Sequence, residues 1–154
     1  MPEISTSEII DAPADSVWAL LADFAKIEAW WPADGAIRIE RVVCEGEGIG
    51  MVRHVYNAGA KSPVSERLDF LDPESRILML SIVGDRPGGI TAYVATARIV
   101  ELDPEHCRID YRANVTTEPG REAKVVNDIR FTWSLMFKGL RAKVSGATNS
   151  SAKN

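Results

Sequence analysis

Apolar and polar positions recur with different periods along the chain, and the changes of period mark the predicted elements. Residues 3–11 mix β-branched and polar side chains in loose alternation, which predicts a strand. A helix follows, with Pro13 suited to its first turn, and residues 26–30 predict a second short helix that Pro32 and Gly35 end. The apolar face of the first helix consists of Val17, Leu20, Leu21 and Phe24.

Between residues 37 and 115 the pattern has the period of strands, interrupted by frequent Gly and Pro turn signals. It predicts a meander of about six antiparallel strands. In the last two strands apolar residues alternate with polar ones, so one face of the sheet is buried and the other faces water. The residues predicted to point inward are Tyr93, Ala95, Ala97, Ile99, Cys107, Ile109, Tyr111 and Ala113.

A long amphipathic helix is predicted from about Gly120 to Val144. Phe131 and Leu135 lie on its other side and form a candidate surface for a homodimer. Residues 145–154 are small and polar, which is typical of a flexible tail. We therefore expect one domain, residues 1–144, followed by a flexible polar tail, residues 145–154. The apolar stripe of the helix is Val126, Ile129, Trp133, Met136, Phe137, Leu140 and Val144.

The order of these elements predicts an α+β fold. A seven-stranded antiparallel sheet that curves around the long C-terminal helix, with two short helices after the first strand, buries every apolar stripe at once. A curved sheet wrapped on one helix leaves a cavity toward one end, and such a cavity is a natural ligand site.

Two opposite charges share one face of a predicted hairpin. Residues 51–56 and 64–70 flank a turn-like stretch around Gly59, and this turn places Arg53 opposite Glu66. The face is otherwise apolar, so the two charges must pair or line a water-filled pocket. The same register places Met51 opposite Leu68 and Val55 opposite Val64.

Composition and charge narrow the function classes. The 154 residues are 45% hydrophobic and 26% charged, as in an ordinary soluble globular domain. A net charge of -4 without a dense Lys/Arg cluster argues against a nucleic-acid partner. No apolar run has the length of a membrane span and the N-terminus lacks a signal-peptide pattern, so we expect a cytoplasmic protein. Cys44 and Cys107 have neither CxxC spacing nor a His cluster, so no metal or cofactor is predicted.

Four motifs carry a family resemblance: IDAPADSVWALLADF at residues 10–24, GIGMVR at 48–53, ERL at 66–68 and YVAT at 93–96. Up to about Val144, the sequence resembles the START-like, Bet v 1-like superfamily (SRPBCC, polyketide cyclase/dehydrase-like). The first motif is similar to the family's first strand-to-helix signature, and the other three resemble the branch that contains lachrymatory factor synthase. The resemblance implies a helix-grip fold and a hydrophobic small-molecule ligand. It also implies Arg53, Glu66 and Tyr93 as the positions that match that enzyme's proton-transfer residues.

Each of these three residues has a functional and a structural interpretation. Burial favours the protonated form of Glu66 and a guanidinium favours its ionised form, a balance that suits a base, but an ion pair can equally fix the strand register. Arg53 can hold a substrate oxygen. Tyr93 can donate a hydrogen bond to that oxygen, or lie in the core with its hydroxyl at the pocket edge. The expected ligand-binding walls are Trp31, Met51, Val55, Leu68, Ile129, Trp133 and Met136.

Two functions follow from this reasoning. The first is an enzyme that binds a hydrophobic or amphipathic molecule and catalyses proton transfer without a cofactor, in a cyclisation, dehydration or isomerisation. The second is a carrier or sensor of a lipid- or polyketide-like ligand, in which Arg53 and Glu66 only orient a polar group. The sequence leaves both open.

Overall fold

The computed structural model describes the backbone of residues 2–152 and the side chains of residues 2–146. The seven strands of this part form one antiparallel sheet in the order β1-β7-β6-β5-β4-β3-β2. This architecture confirms the predicted α+β helix-grip fold. The elements are β1 (Glu3–Ile10), α1 (Ala14–Ala22), a short 3₁₀ helix (Phe24–Ala29), β2 (Ile39–Glu45), β3 (Val52–Asn57), β4 (Val64–Asp72), β5 (Ile77–Val83), β6 (Ile90–Asp103), β7 (His106–Thr117) and α2 (Glu122–Ala152).

The two short helices carry the chain from one edge of the sheet to the other. β1 pairs with β7 at one edge, where Ile4 lies opposite Ala113, and β2 forms the opposite edge. Register shifts interrupt the pairing of β4 with β5 between Leu68 and Phe70, and the pairing of β6 with β7 at both ends. Such irregularities increase the local twist and bend a sheet.

The inner face of the sheet and one side of α2 form the core. The residues of β6 and β7 that were predicted to point inward are all buried. On α2 the stripe is buried from Ile129 to Val144, but its first member is Val125, at 1% exposure, and Val126 is only half-buried.

The helix α2 continues to Ala152, so its predicted end at Val144 was too early. Residues 153 and 154 of the expected tail lie outside the described residues.

Leu135 is buried, and its expected place on a free helix surface was wrong. Its Cδ2 atom lies 3.4 Å from the position that a Cβ at Gly35 would take, so the loop after the 3₁₀ helix covers this side of α2. The period of a helix cannot reveal a loop that arrives from elsewhere in the chain. Phe131 is 48% exposed. The homodimer prediction therefore retains only one of its two residues.

The same loop meets the backbone of α2 at Gly139. A Cβ atom at this position would collide with the Trp30 carbonyl oxygen and would lie 2.9 Å from Cδ of Pro32. Both contacts would be closer than Cβ atoms in proteins tolerate, so the approach of the loop to the helix requires a glycine at position 139. Trp30 is fixed further by its indole N–H, which donates to the Leu20 carbonyl at 3.2 Å.

Within the part of the chain that the structure covers, no helix combines the length and the apolar character that crossing a bilayer requires.

Candidate active site in the cavity

A cavity of about 370 Å³ lies between the inner face of the sheet, the 3₁₀ helix and α2. This volume is within the roughly 300–1,000 Å³ range of small-molecule sites. Its walls are largely aliphatic and aromatic, and its aromatic members are Phe24, Trp30, Trp31, Tyr93, Tyr111 and Trp133. The polar residues of its lining include Arg53, Asn57, Glu66, Asp128 and Thr132.

Arg53 and Glu66 face each other in the hairpin, as the sequence predicted. Arg53 pairs with Glu66, and Val55 pairs with Val64, across β3 and β4. Arg53 Nε donates to Glu66 Oε1 at 3.0 Å. The arginine is 6% exposed, and the Glu66 side chain is 17% exposed. The cavity therefore contains a nearly dry ion pair with a more accessible carboxylate.

The 3₁₀ helix holds the guanidinium in place. Arg53 Nη1 donates to the Phe24 carbonyl oxygen at 3.0 Å. The guanidinium carbon also lies 3.8 Å from the centre of the Phe24 ring, a cation–π geometry. These contacts fix both the position and the plane of the charged group.

The Arg53–Glu66 ion pair leaves part of its hydrogen-bonding capacity unused. A side-on contact of arginine with a carboxylate usually forms two parallel hydrogen bonds. Here only the Nε bond forms, and among the described residues nothing bonds Arg53 Nη2 or Glu66 Oε2. One donor and one acceptor thus remain for a ligand, on two residues that line the cavity.

Two tyrosines lie at the α2 side of the cavity. The Trp133 indole N–H donates to the Tyr93 hydroxyl oxygen at 3.1 Å, and Tyr111 is close enough to influence the ionisation of Tyr93. The Tyr111 ring packs edge-on against Trp133, with ring centres 4.7 Å apart. Sequence reasoning placed Tyr111 on the inner face but did not assign it to the site. Its alternation with charged neighbours in β7 was the available signal.

Burial determines the protonation of both tyrosines. Desolvation raises the pKa of Tyr93 well above its ordinary value, and the neighbouring Tyr111 adds to this effect. Desolvation also raises the pKa of Tyr111, with a further contribution from the negative charge of Glu66. Both hydroxyls therefore keep their protons at neutral pH and can donate hydrogen bonds.

We expect the folded protein to lose stability as the pH rises above about 10, the ordinary tyrosine pKa. The unfolded chain releases the protons of Tyr93 and Tyr111 there and the folded chain retains them, so unfolding becomes more favourable. The measurement is the ultraviolet absorbance of tyrosinate in wild type and in the Tyr93→Phe/Tyr111→Phe double variant. The difference between the two reports on Tyr93 and Tyr111. It should rise only at the pH at which the near-ultraviolet circular dichroism of the folded protein is lost. A rise of this difference signal in a still native protein would contradict the expectation.

The structure places five of the seven predicted ligand-binding residues in the cavity lining: Trp31, Val55, Ile129, Trp133 and Met136. Met51 and Leu68 do not line it. They are 8% and 1% exposed and belong to the solid core. The alternation along β3 and β4 correctly placed them on the inner face. It could not show that this face is divided between the packed core and the cavity.

No group of three or more His, Cys, Asp or Glu side chains within the described residues is arranged to hold a metal ion. Cys107 is buried and Cys44 is exposed, and neither forms a disulfide. The ionic and phenolic groups that line the cavity include Arg53, Glu66, Tyr93 and Tyr111.

A curved sheet closed by a long helix around a mostly apolar cavity defines a helix-grip ligand-binding protein. The chain belongs to the family described as polyketide cyclase / dehydrase and lipid transport, whose model matches residues 1–150. Membership confirms the predicted superfamily and supports a ligand-binding or cyclase role. No curated protein matches the sequence significantly.

Solved structures share the fold at low sequence identity. An uncharacterised protein from Bacillus thuringiensis is 22% identical, with a TM-score of 0.79 over 93% of this chain and 98% of that one. A norcoclaurine synthase point mutant from Thalictrum flavum, in complex with a transition-state analogue, is 18% identical, with a TM-score of 0.76 over 96% of both chains. The di-domain ARO/CYC BexL is 19% identical, with a TM-score of 0.79 over 97% of this chain and 48% of that one.

Proposed function

We propose that this protein binds a hydrophobic or amphipathic carbonyl compound in its cavity and catalyses proton transfer at the carbon next to the carbonyl group. Such a transfer is the chemical step of isomerisation, dehydration or cyclisation, and it needs only an acid–base group and a stabilised oxygen. The family's cyclase and dehydrase members support this reaction class.

In the proposed reaction Glu66 Oε2 takes the proton from the α-carbon. The electron pair of the broken C–H bond moves to the carbonyl oxygen and gives an enolate. Arg53 Nη2 donates a hydrogen bond to that oxygen, and the neutral tyrosine hydroxyls supply further donors at the α2 side. Glu66 then returns the proton to the same carbon or to another one. The apolar walls exclude water and strengthen these interactions.

The observation that carries the proposal is the incomplete hydrogen bonding of the Arg53–Glu66 ion pair. A purely structural pair in a dry interior gains most when both carboxylate oxygens are hydrogen bonded, because each unsatisfied atom keeps its desolvation cost. Here Glu66 Oε2 and Arg53 Nη2 are left for a ligand, on two paired residues that line a cavity of suitable size.

Hydrogen–deuterium exchange tests the proposal without knowledge of the natural substrate. We expect wild-type protein in D₂O to accelerate deuterium incorporation at the α-carbons of benzylacetone, followed by nuclear magnetic resonance. Native mass spectrometry of protein from its source cell would identify the natural ligand class. Binding of benzylacetone without any faster exchange would reject the catalytic proposal.

That outcome would favour a carrier or sensor. The family description includes lipid transport, and the cavity lining is mostly apolar, which suits a transported ligand. In a carrier, Arg53 and Glu66 orient the polar group of the ligand, so Arg53→Ala weakens binding and no ligand is converted. The cytoplasmic location and the homodimer stay predictions from the sequence.

A further inference from the structure

Asn57 adds a second polar group to the cavity, away from the ion pair. It is the last residue of β3 and lies on the same face as Arg53 and Val55. Positions 53 and 57 are about 13 Å apart along the strand, at ~3.3 Å per residue. Its neighbours in the lining include Ile39, which lies opposite it in β2, and the paired residues Val55 and Val64.

The side-chain amide of Asn57 has no partner in the part of the chain that the structure covers. Its Oδ1 atom is buried without a hydrogen bond. More than nine-tenths of buried polar groups in proteins are hydrogen bonded, so an unpaired one needs a cause. A half-turn about the terminal torsion exchanges the amide oxygen and nitrogen, so the oxygen can face a ligand when Nδ2 takes its place.

Asn57 is the first residue of the turn after β3, where its backbone carbonyl accepts a hydrogen bond from Ala60 N–H at 3.1 Å, and asparagine is common at this position. Arg76 is the only non-glycine residue with a positive φ in the described part of the chain, so Asn57 does not occupy the left-handed conformation that asparagine tolerates. Asparagine is also disfavoured in strands. The turn uses the backbone carbonyl of Asn57, whereas the side-chain Oδ1 atom forms no hydrogen bond within the described residues.

We infer that Asn57 selects ligands that carry a hydroxyl group at the end remote from their carbonyl group, by accepting a hydrogen bond from that hydroxyl. This inference rests on the proposed function, because the carbonyl group at Arg53 sets the orientation of the ligand. The cavity then fits an elongated molecule that is polar at both ends and apolar in the middle. A plain hydrocarbon tail at Asn57 leaves the amide unpaired and binds more weakly.

Three matched ketones test the inference: benzylacetone, para-hydroxybenzylacetone and para-methoxybenzylacetone. Titration calorimetry should show that wild type binds the hydroxyl compound about tenfold more tightly than the other two, the size of one net hydrogen bond. In Asn57→Leu, which keeps the branched shape of the side chain, the preference should disappear. Thr132→Val is the control, because this hydroxyl also lines the cavity but already donates to the Asp128 carbonyl at 2.9 Å.

A measurement without ligand complements the titrations. Asn57→Leu should raise the midpoint of thermal unfolding of the free protein, because it removes an unpaired buried acceptor. A lowered midpoint would show that the amide supports the fold and would overturn the inference. An unchanged hydroxyl preference in Asn57→Leu would also overturn it, as would tighter binding of the methoxy compound to wild type.

These outcomes separate the inference from the proposed function. Faster α-carbon exchange of all three ketones without a hydroxyl preference would leave the catalytic proposal standing and reject the role of Asn57. A hydroxyl preference without exchange would support Asn57 and reject catalysis. If none of the three ketones binds, both are rejected.

Discussion

Glu66→Gln should abolish most of the exchange activity while it leaves ligand affinity within a few-fold of wild type. An amide has nearly the shape of a carboxylate and can still accept a hydrogen bond from Arg53 Nε, but it cannot take a proton from carbon. General-base catalysis contributes about 10²–10⁴-fold, and a loss of this size is expected in the rate of deuterium incorporation into benzylacetone. The affinity is measured in the same samples by titration calorimetry.

Asp128→Asn is the matched control for this experiment. It makes the same chemical change in another carboxylate of the cavity lining, but Asp128 is paired with Lys124 at 2.6 Å and is 56% exposed. We expect its exchange rate to stay close to that of wild type. Full activity of Glu66→Gln would eliminate Glu66 as the base, and equal losses in both variants would point to a general effect of cavity charge.

Arg53→Met should lower the free energy of unfolding by about 3 kcal/mol, the lower end of the range for breaking a buried pair. The substitution leaves the Glu66 carboxylate in the cavity without its cation and the Phe24 carbonyl without its donor. The lower end applies because the Glu66 side chain is 17% exposed and keeps some hydration. Urea unfolding measures the effect.

The neighbouring strand offers a surface pair for comparison. Arg67 Nε contacts Asp69 Oδ1 at 2.7 Å, but the Arg67 side chain is 48% exposed. Arg67→Met should therefore cost no more than about 1 kcal/mol. The Arg53→Met/Glu66→Leu double variant should be more stable than Arg53→Met alone, since it removes the unpaired charge. Similar losses in Arg53→Met and Arg67→Met would show that the cavity pair is as hydrated as a surface pair.

The sequence predicted the structure correctly where the repeating pattern of apolar residues within one element determines which side chains are buried. The alternation along the hairpin and the position of its turn were sufficient to place Arg53 opposite Glu66, because a shift by one residue would have turned the whole apolar face toward water. The inward residues of β6 and β7 followed from the same argument. The predicted apolar stripe on α2 had the correct period but began at the wrong residue. The buried residue at its start is Val125 and not Val126.

The sequence failed where elements that are distant in the chain meet. The loop at Gly35 buries Leu135, and no pattern within α2 reveals that contact. The place of Tyr111 in the site depends on the register of β6 against β7 and on its edge-on packing against Trp133 of α2. Met51 and Leu68 share their strand face with cavity residues, and only the packing of the whole core separates the two groups.

Gly139 links the backbone of α2 to the wall of the cavity. Trp30 and Trp31 both form part of this wall, and the Trp30 carbonyl lies directly against the helix at Gly139. A side chain at position 139 would have to displace the segment that carries Trp30, and we expect it to lower the stability of the fold. The shape of the wall thus depends on a residue that contacts no reacting atom.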